Sequence, residues 1–130
     1  MRPKKIWANL GVDDVELTRK FYTAIGFKPN GKFQSKDLAS FVVGDDDFVV
    51  HFFAKETMKK ALMGEFSDLS QGNEIMFTLA AESKEEVNAW AVEVRNAGGS
   101  IFSEPVEFGE GYYGFGFADP DGHKWNVFFM

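Results

Sequence analysis

The chain contains no cysteine and only two histidines among its 130 residues. The absence of cysteine excludes disulfides, thiolate nucleophiles, and zinc or iron–sulfur sites built on cysteine. A hydrolase triad is also disfavoured, because no serine lies in a nucleophile-elbow sequence and histidine is scarce. These absences remove the commonest forms of covalent and sulfur-based chemistry.

Long hydrophobic runs and an excess of positive charge are missing as well. No apolar run approaches the roughly 20 residues needed to span a bilayer. The apolar stretch after Lys5 is broken at Asn9, so the N-terminus does not resemble a signal peptide. The net charge of −6 disfavours nonspecific attraction to nucleic acid or to anionic membranes. We therefore expect a soluble, cytoplasmic protein that binds neither nucleic acid nor membranes.

Aromatic residues, in contrast, are abundant. They make up 16% of the chain and include 15 phenylalanines, within a total hydrophobic share of 45%. The chain is long enough for one domain with a substantial core, and the surplus of aromatics fits an apolar internal pocket. A phenylalanine-rich core without a pocket explains the composition equally well.

The order of predicted elements repeats itself along the chain. Each half reads as a strand, a capped helix that ends at glycine, and further strands. In the first half these segments are residues 6–12, 14–25, 27–29, 38–43 and 48–53. In the second half they are 74–80, 83–97, 100–102, 112–117 and 124–129. We predict a single domain over residues 1–130, with βαβββ modules at about 1–54 and 72–130 and a polar, partly helical connector at 55–71.

The stretch from Gly109 to Gly114 matches the dinucleotide-binding pattern G-x-G-x-x-G. It has neither a predicted strand before it nor a helix after it, so no helix N-terminus would point at a phosphate. A glycine-rich strand or bulge that allows a ligand or loop to approach closely is the better interpretation.

Two segments resemble a known family. Residues 12–27 and the ending 117–126, which contains the turn Asp119-Pro120-Asp121-Gly122, look like the vicinal oxygen chelate superfamily. That superfamily includes glyoxalase I, bleomycin-resistance proteins and extradiol dioxygenases. The resemblance implies an α+β fold, with paired βαβββ modules whose curved mixed sheet surrounds a pocket and whose helices lie outside. It also implies a homodimer.

The resemblance further implies where a metal would be held. In metalloenzymes of the superfamily, the first and last strands of each module supply ligands, and these positions correspond to Trp7, His51, Glu74 and Asn126. Trp7 has no free lone pair and Asn126 offers only a neutral amide oxygen. Only His51 and Glu74 are good ligands for a divalent metal. We therefore expect no tightly bound cofactor, and at most a loosely held divalent metal on His51 and Glu74.

Strand alternation provides an independent set of pocket residues. Polar side chains recur on the predicted inward face of four strands, where burial is costly without a partner or a ligand. The predicted pocket, lying in a cavity between the two modules, consists of Trp7, Asn9, Phe53, Met76, Thr78, Tyr112, Asn126 and Phe128, beside His51 and Glu74. The alternative is that His51, Glu74 and Asn126 hydrogen-bond one another in a filled core.

Three functional classes remain open. The first is a metal-independent protein that binds a small, partly aromatic molecule, similar to the bleomycin-resistance branch, which for an acidic protein could be a cationic drug. The second is a lyase or isomerase acting next to a carbonyl, similar to glyoxalase, with Glu74 as general base and His51 polarising the carbonyl oxygen. The third is an extradiol-type dioxygenase. That enzyme needs iron held by two histidines and a carboxylate, and only His51 lies at a ligand position.

Overall fold

The computed structural model describes all 130 residues, which form two compact units, residues 1–66 and 67–130. The first unit contains β1 (Trp7–Val12), α1 (Val15–Ala24), β2 (Lys28–Pro29), β3 (Leu38–Val43), β4 (Phe48–Ala54) and α2 (Lys55–Leu62). The second contains β5 (Met76–Ala80), α3 (Lys84–Asn96), β6 (Ser100–Phe108), β7 (Tyr112–Ala118) and β8 (Lys124–Phe129).

Each unit has one four-stranded mixed sheet, and the two sheets have the same topology. The strand orders are β1-β4-β3-β2 and β5-β8-β7-β6. In both, the first strand pairs in parallel with the last, and the remaining pairs are antiparallel. The predicted α+β fold of paired βαβββ modules is confirmed, with two separate hydrogen-bonded sheets in place of one.

The caps predicted for the two main helices are present. The carboxylate of Asp14 accepts a hydrogen bond of 3.1 Å from the backbone of Leu17 at the start of α1. The hydroxyl of Ser83 accepts one of 3.0 Å from the backbone of Glu86, and the Glu86 side chain accepts in turn from the backbone of Glu82. The bonds to the N–H groups of Leu17 and Glu86 satisfy amides that the first helical turn leaves free, and the bond from Glu82 fixes the residue before the N-cap of α3.

Each main helix packs on one face of its own sheet. In the first unit Tyr22 of α1 stacks on Phe52 of β4, with ring centroids 4.4 Å apart. In the second, Val87 of α3 is buried together with Trp125 and Phe117, whose rings are parallel to within 6°. Because side chains alternate along a strand, His51 in the first sheet and Asn126 in the second each point to the face that is turned away from the helix.

The glycine-rich stretch forms a turn and a strand. Gly109 and Gly111 have positive φ in the turn between β6 and β7, and a strand follows where a dinucleotide site needs a helix. Gly114 and Gly116 lie within β7, where an added Cβ would collide with the rings of Phe128 and Phe102 respectively. The sequence predicts that a ligand or a loop approaches the backbone of the glycine-rich stretch closely. In the structure, aromatic side chains of the same unit lie against the glycines of β7.

Two strand bounds differ from the predictions. β5 begins at Met76, so the prediction that Glu74 starts this strand is wrong. β6 continues to Phe108, well beyond the predicted residue 102. None of the three helices combines the length and apolar character that crossing a membrane requires.

Candidate functional site

A cavity of about 520 Å³ lies on the face of the first sheet that points away from α1. This volume falls in the range of roughly 300–1,000 Å³ that is typical of small-molecule pockets. Strands β1 and β4 contribute Trp7, Asn9, His51 and Phe53, and helix α2 contributes Thr57, Met58, Ala61 and Leu62. The structure thus brings together four residues that strand alternation predicted and four that it did not.

A row of polar side chains crosses this face of the sheet. His51 on β4 pairs with Asn9 on β1 on one side and with Ser40 on β3 on the other. Residues paired in this way point to the same face. The Nδ1 atom of His51 and the Oγ atom of Ser40 are both buried without a hydrogen-bond partner. Because unpaired buried polar atoms are costly, this row is the least satisfied part of the first unit.

The backbone of Ser40 is held from the opposite edge of β3. The amide side chain of Gln34 donates to the Ser40 carbonyl at 2.7 Å and accepts from its N–H at 3.3 Å. Arg19 in turn donates to the oxygen of that amide at 2.6 Å. These contacts fix the position of Ser40 in the strand and leave its hydroxyl free.

Aromatic rings flank His51. The centroids of the Phe33 and Phe53 rings lie 5.7 and 5.6 Å from the imidazole. Burial removes water from the imidazole and lowers the pKa of His51 below its ordinary value of 6.5. At neutral pH the ring is therefore uncharged, with one nitrogen that donates and one that accepts.

Helix α2 forms one wall of the cavity, although it is intrinsically weak. It has eight residues, whereas isolated helices shorter than ~12–15 residues are marginal in water. Its N-cap residue, Ala54, provides no side-chain hydrogen bond, and Met63 at its C-terminus adopts a left-handed conformation with φ of 54°. A non-glycine residue rarely takes this conformation, so the helix end is mildly strained.

Contacts at both ends hold this wall in place. The ammonium of Lys55 lies 3.0 Å from the carboxylate of Asp13 and 5.9 Å from the ring centroid of Phe66. The Phe66 ring packs directly on Gly11 of β1, where a Cβ would collide with it. The connector, whose role could not be predicted from the sequence, thus contributes one wall of the cavity, and its Phe66 packs on β1.

The second unit has a corresponding row with different contents. Asn126 on β8 pairs with Thr78 on β5 and with Gly116 on β7, and its Oδ1 atom is buried without a partner. The ring of Phe102 covers Gly116, the position that corresponds to Ser40 in the first unit. The ammonium of Lys124 lies 4.8 Å from the centroid of that ring. The Phe128 ring packs beside those of Tyr112 and Phe108, at 6.5 and 5.4 Å.

The strand pairing shows that Glu74 does not occupy the place in β5 that Trp7 occupies in β1. Asn9 pairs with His51 as Thr78 pairs with Asn126, so the counterpart of Trp7, two residues before Asn9, is Met76. Glu74 is exposed and precedes the strand. Strand alternation therefore does not extend to Glu74.

These donor sets do not fit a resident metal ion. In the first row, His51 is the one strong ligand, since Trp7 has no lone pair and Asn9 offers a neutral amide. The second row offers a threonine hydroxyl and the amide of Asn126. Within either unit no three histidine, aspartate or glutamate side chains are grouped closely enough to hold a metal.

Comparison with known families gives one result that covers nearly the whole chain. The family model described as the Glyoxalase/Bleomycin resistance protein/Dioxygenase superfamily matches residues 6–127. No protein of curated function matches the sequence significantly.

Solved structures with the same fold are numerous. A hypothetical protein from S. aureus is 28% identical, with a TM-score of 0.87 over 100% of this chain and 96% of that one. A glyoxalase-related enzyme from Fulvimarina pelagi is 20% identical, with a TM-score of 0.85 over 98% and 89% of the chains. Lactoylglutathione lyase from Agrobacterium tumefaciens is 19% identical, with a TM-score of 0.70 over 98% and 95%. For the last two structures, at 20% and 19% identity, the likeness shows the fold alone.

Proposed function

Since the chain belongs to the glyoxalase/bleomycin resistance protein/dioxygenase superfamily, we propose that it binds a small, partly aromatic molecule in the cavity of its first unit. Binding does not require a tightly held metal. The observation that carries the proposal is that the imidazole of His51, whose Nδ1 has no hydrogen-bond partner, lines a mostly apolar cavity.

The physical argument concerns both parts of the cavity. A hydrogen bond between a ligand and the half-buried imidazole of His51 stabilises the complex by about 0.5–1.5 kcal/mol. Trp7 and Phe53 line the cavity, and their rings provide aromatic surface for an aromatic ligand to contact. A core that only stabilises the fold gains nothing from either feature.

A second function, a lyase or isomerase acting next to a carbonyl, ranks below binding. The uncharged imidazole of His51 favours it, because such a group can donate a hydrogen bond to a carbonyl oxygen. The general base that it needs, Glu74, is exposed and lies outside β5. An extradiol dioxygenase ranks third, because a single histidine lines the cavity.

A thermal-shift screen of small aromatic molecules tests the binding proposal. At least one class of compound should raise the melting temperature of the wild-type protein, and His51→Ala should abolish that rise. His123→Ala is the matched control, because it removes the other histidine, which does not line the cavity. A ligand that stabilises wild type and His51→Ala equally would place binding elsewhere in the protein.

A further inference from the structure

The two nitrogens of His51 have different surroundings. Nδ1 is buried and has no hydrogen-bond partner in the protein. His51 nevertheless lines the cavity, and its Nε2, unlike Nδ1, is not among the buried atoms that lack a partner. The chemistry that the cavity offers therefore depends on which nitrogen carries the hydrogen.

The burial of Nδ1 decides this question. An uncharged imidazole has one N–H group and one lone pair. A buried N–H without an acceptor is rarer in proteins than an acceptor atom lacking a donor. The hydrogen is therefore more stable on Nε2, where water or a ligand can accept it. Burial, which lowers the pKa of His51, keeps the second hydrogen off the ring at neutral pH.

The remaining lining residues restrict the charge of a ligand. None of the eight side chains is an acid, a lysine or an arginine, and the other polar groups are the amide of Asn9, the hydroxyl of Thr57 and the indole N–H of Trp7. A charged ligand would lose its hydration without gaining an opposite charge, which is strongly unfavourable. The net charge of −6 is thus a property of the surface that the cavity does not share.

We propose that the cavity selects uncharged, largely apolar molecules with a hydrogen-bond acceptor, such as a ketone or aldehyde oxygen, which receives a hydrogen bond from Nε2 of His51. This inference rests on the proposed function of the cavity. It replaces the cationic ligand expected from composition with a neutral one.

The hydrogen on Nε2 can be observed without any ligand. In ¹⁵N-histidine-labelled protein at neutral pH, long-range ¹H–¹⁵N correlation spectra distinguish protonated from unprotonated ring nitrogens. The spectrum of His123→Asn identifies the signals of His51, since the chain has only two histidines. We expect Nδ1 of His51 unprotonated and Nε2 protonated. A protonated Nδ1 would overturn the inference.

Four naphthalene probes test the selectivity. We expect 2-acetylnaphthalene to bind about 3 to 10 times more tightly than 2-ethylnaphthalene, which lacks the acceptor. The anion 2-naphthoate and the cation 2-naphthylmethylammonium should bind at least about tenfold more weakly than 2-acetylnaphthalene. His51→Phe should bring the first two probes to equal affinity, because it keeps an aromatic ring and removes the donor.

The outcomes separate this inference from the proposed function. If the ethyl and acetyl probes bind wild type equally, or a charged probe binds as tightly as the acetyl compound, the selectivity is wrong while the binding function stands. If none of the four probes binds although a compound of the thermal-shift screen does, the selectivity is wrong and the binding function stands. If no compound of that screen binds either, the proposed function fails and the selectivity fails with it.

Discussion

The two units are alike on the helix-bound face of their sheets and differ on the other face. Both sheets present apolar residues to a helix, and both cross their opposite face with a row of three paired residues. In the first unit this row ends at Ser40, and helix α2 forms a cavity wall beside it. In the second unit the row ends at Gly116, and Phe102 fills the space above it. The helix-bound face maintains the fold, while the opposite face is free to differ.

The contrast between serine and glycine at one position has a clear physical consequence. Gly116 lacks a Cβ, so an aromatic ring from the neighbouring strand can lie directly on the backbone. Ser40 has a side chain at that point, and its hydroxyl remains buried and unpaired. At this one position, therefore, the second unit has aromatic packing and the first has a buried hydroxyl in the row beside the cavity.

The largest expected effect comes from Gly114→Ala in the second unit. The new Cβ would collide with the backbone carbonyl of Val127 as well as with the ring of Phe128. Because a backbone atom cannot swing aside, we expect a loss of about 3 kcal/mol or more in the free energy of unfolding. Chemical denaturation measures it. Gly72→Ala is the control, since that position has open space, and equal effects of the two substitutions would contradict the packing described.

Gly116→Ala should have a smaller effect. The Phe102 ring that a Cβ would meet is 47% exposed and can move toward solvent. We expect a loss of about 1–3 kcal/mol in unfolding free energy. Combining it with Phe102→Ala should cost less than the sum of the two single losses, because the collision is then absent. Strict additivity would show that the ring does not cover Gly116.

Two buried hydroxyls in the first unit give a matched pair. Thr18 donates to the Asp14 carbonyl at 3.1 Å, whereas the hydroxyl of Ser40 has no partner. We expect Thr18→Val to lower the free energy of unfolding by about 1 kcal/mol and Ser40→Ala to leave it unchanged or raise it by about 1 kcal/mol. A loss of stability in Ser40→Ala that equals the loss in Thr18→Val would mean that the serine has a partner.

The smallest effect is a difference in pH dependence. Because burial lowers the pKa of His51 below 6.5, the unfolded chain binds a proton more readily than the folded one. The free energy of unfolding should therefore fall as the pH drops below about 6.5, and level off once the folded-state pKa is passed. His51→Asn gives the first row the residue of the second, and it should flatten this dependence. His123→Asn should leave the contribution of His51 in place.

Local patterns predicted much of the fold. The bounds of β3 and β8 agree with the structure because alternation and turn residues mark them clearly. The start of β5 depends on where its partner begins, since Met76 pairs with the first residue of β8, and such a bound is not local. β6 continues beyond the predicted residue 102, through Pro105 and two register shifts in its pairing with β7. At the edge of a sheet a proline is tolerated.

Local patterns also predict part of the candidate site, whereas the part that depends on non-local packing is not visible in the sequence. Alternation predicts that Trp7, Asn9, His51 and Phe53 share one face, and in the structure all four line the cavity, while their role in binding stays a prediction. Ser40 was missed, although it alternates with the buried Ala39 and Phe41 in the same strand. The wall residues of α2 recur at helical spacing, but none of them is fully buried. Their role follows from packing on β1 and β4, which the sequence does not reveal.

The central claim is that the first unit binds an uncharged aromatic molecule without a metal. Its most direct test is the affinity for 2-acetylnaphthalene, or for the best compound of the screen, in a chelator and then with added Ni²⁺, Zn²⁺, Mn²⁺ or Fe²⁺. We predict the same affinity under all these conditions, and its loss in His51→Ala. Binding that disappears in chelator and returns with one of these ions would contradict the account and favour a metal-assisted lyase.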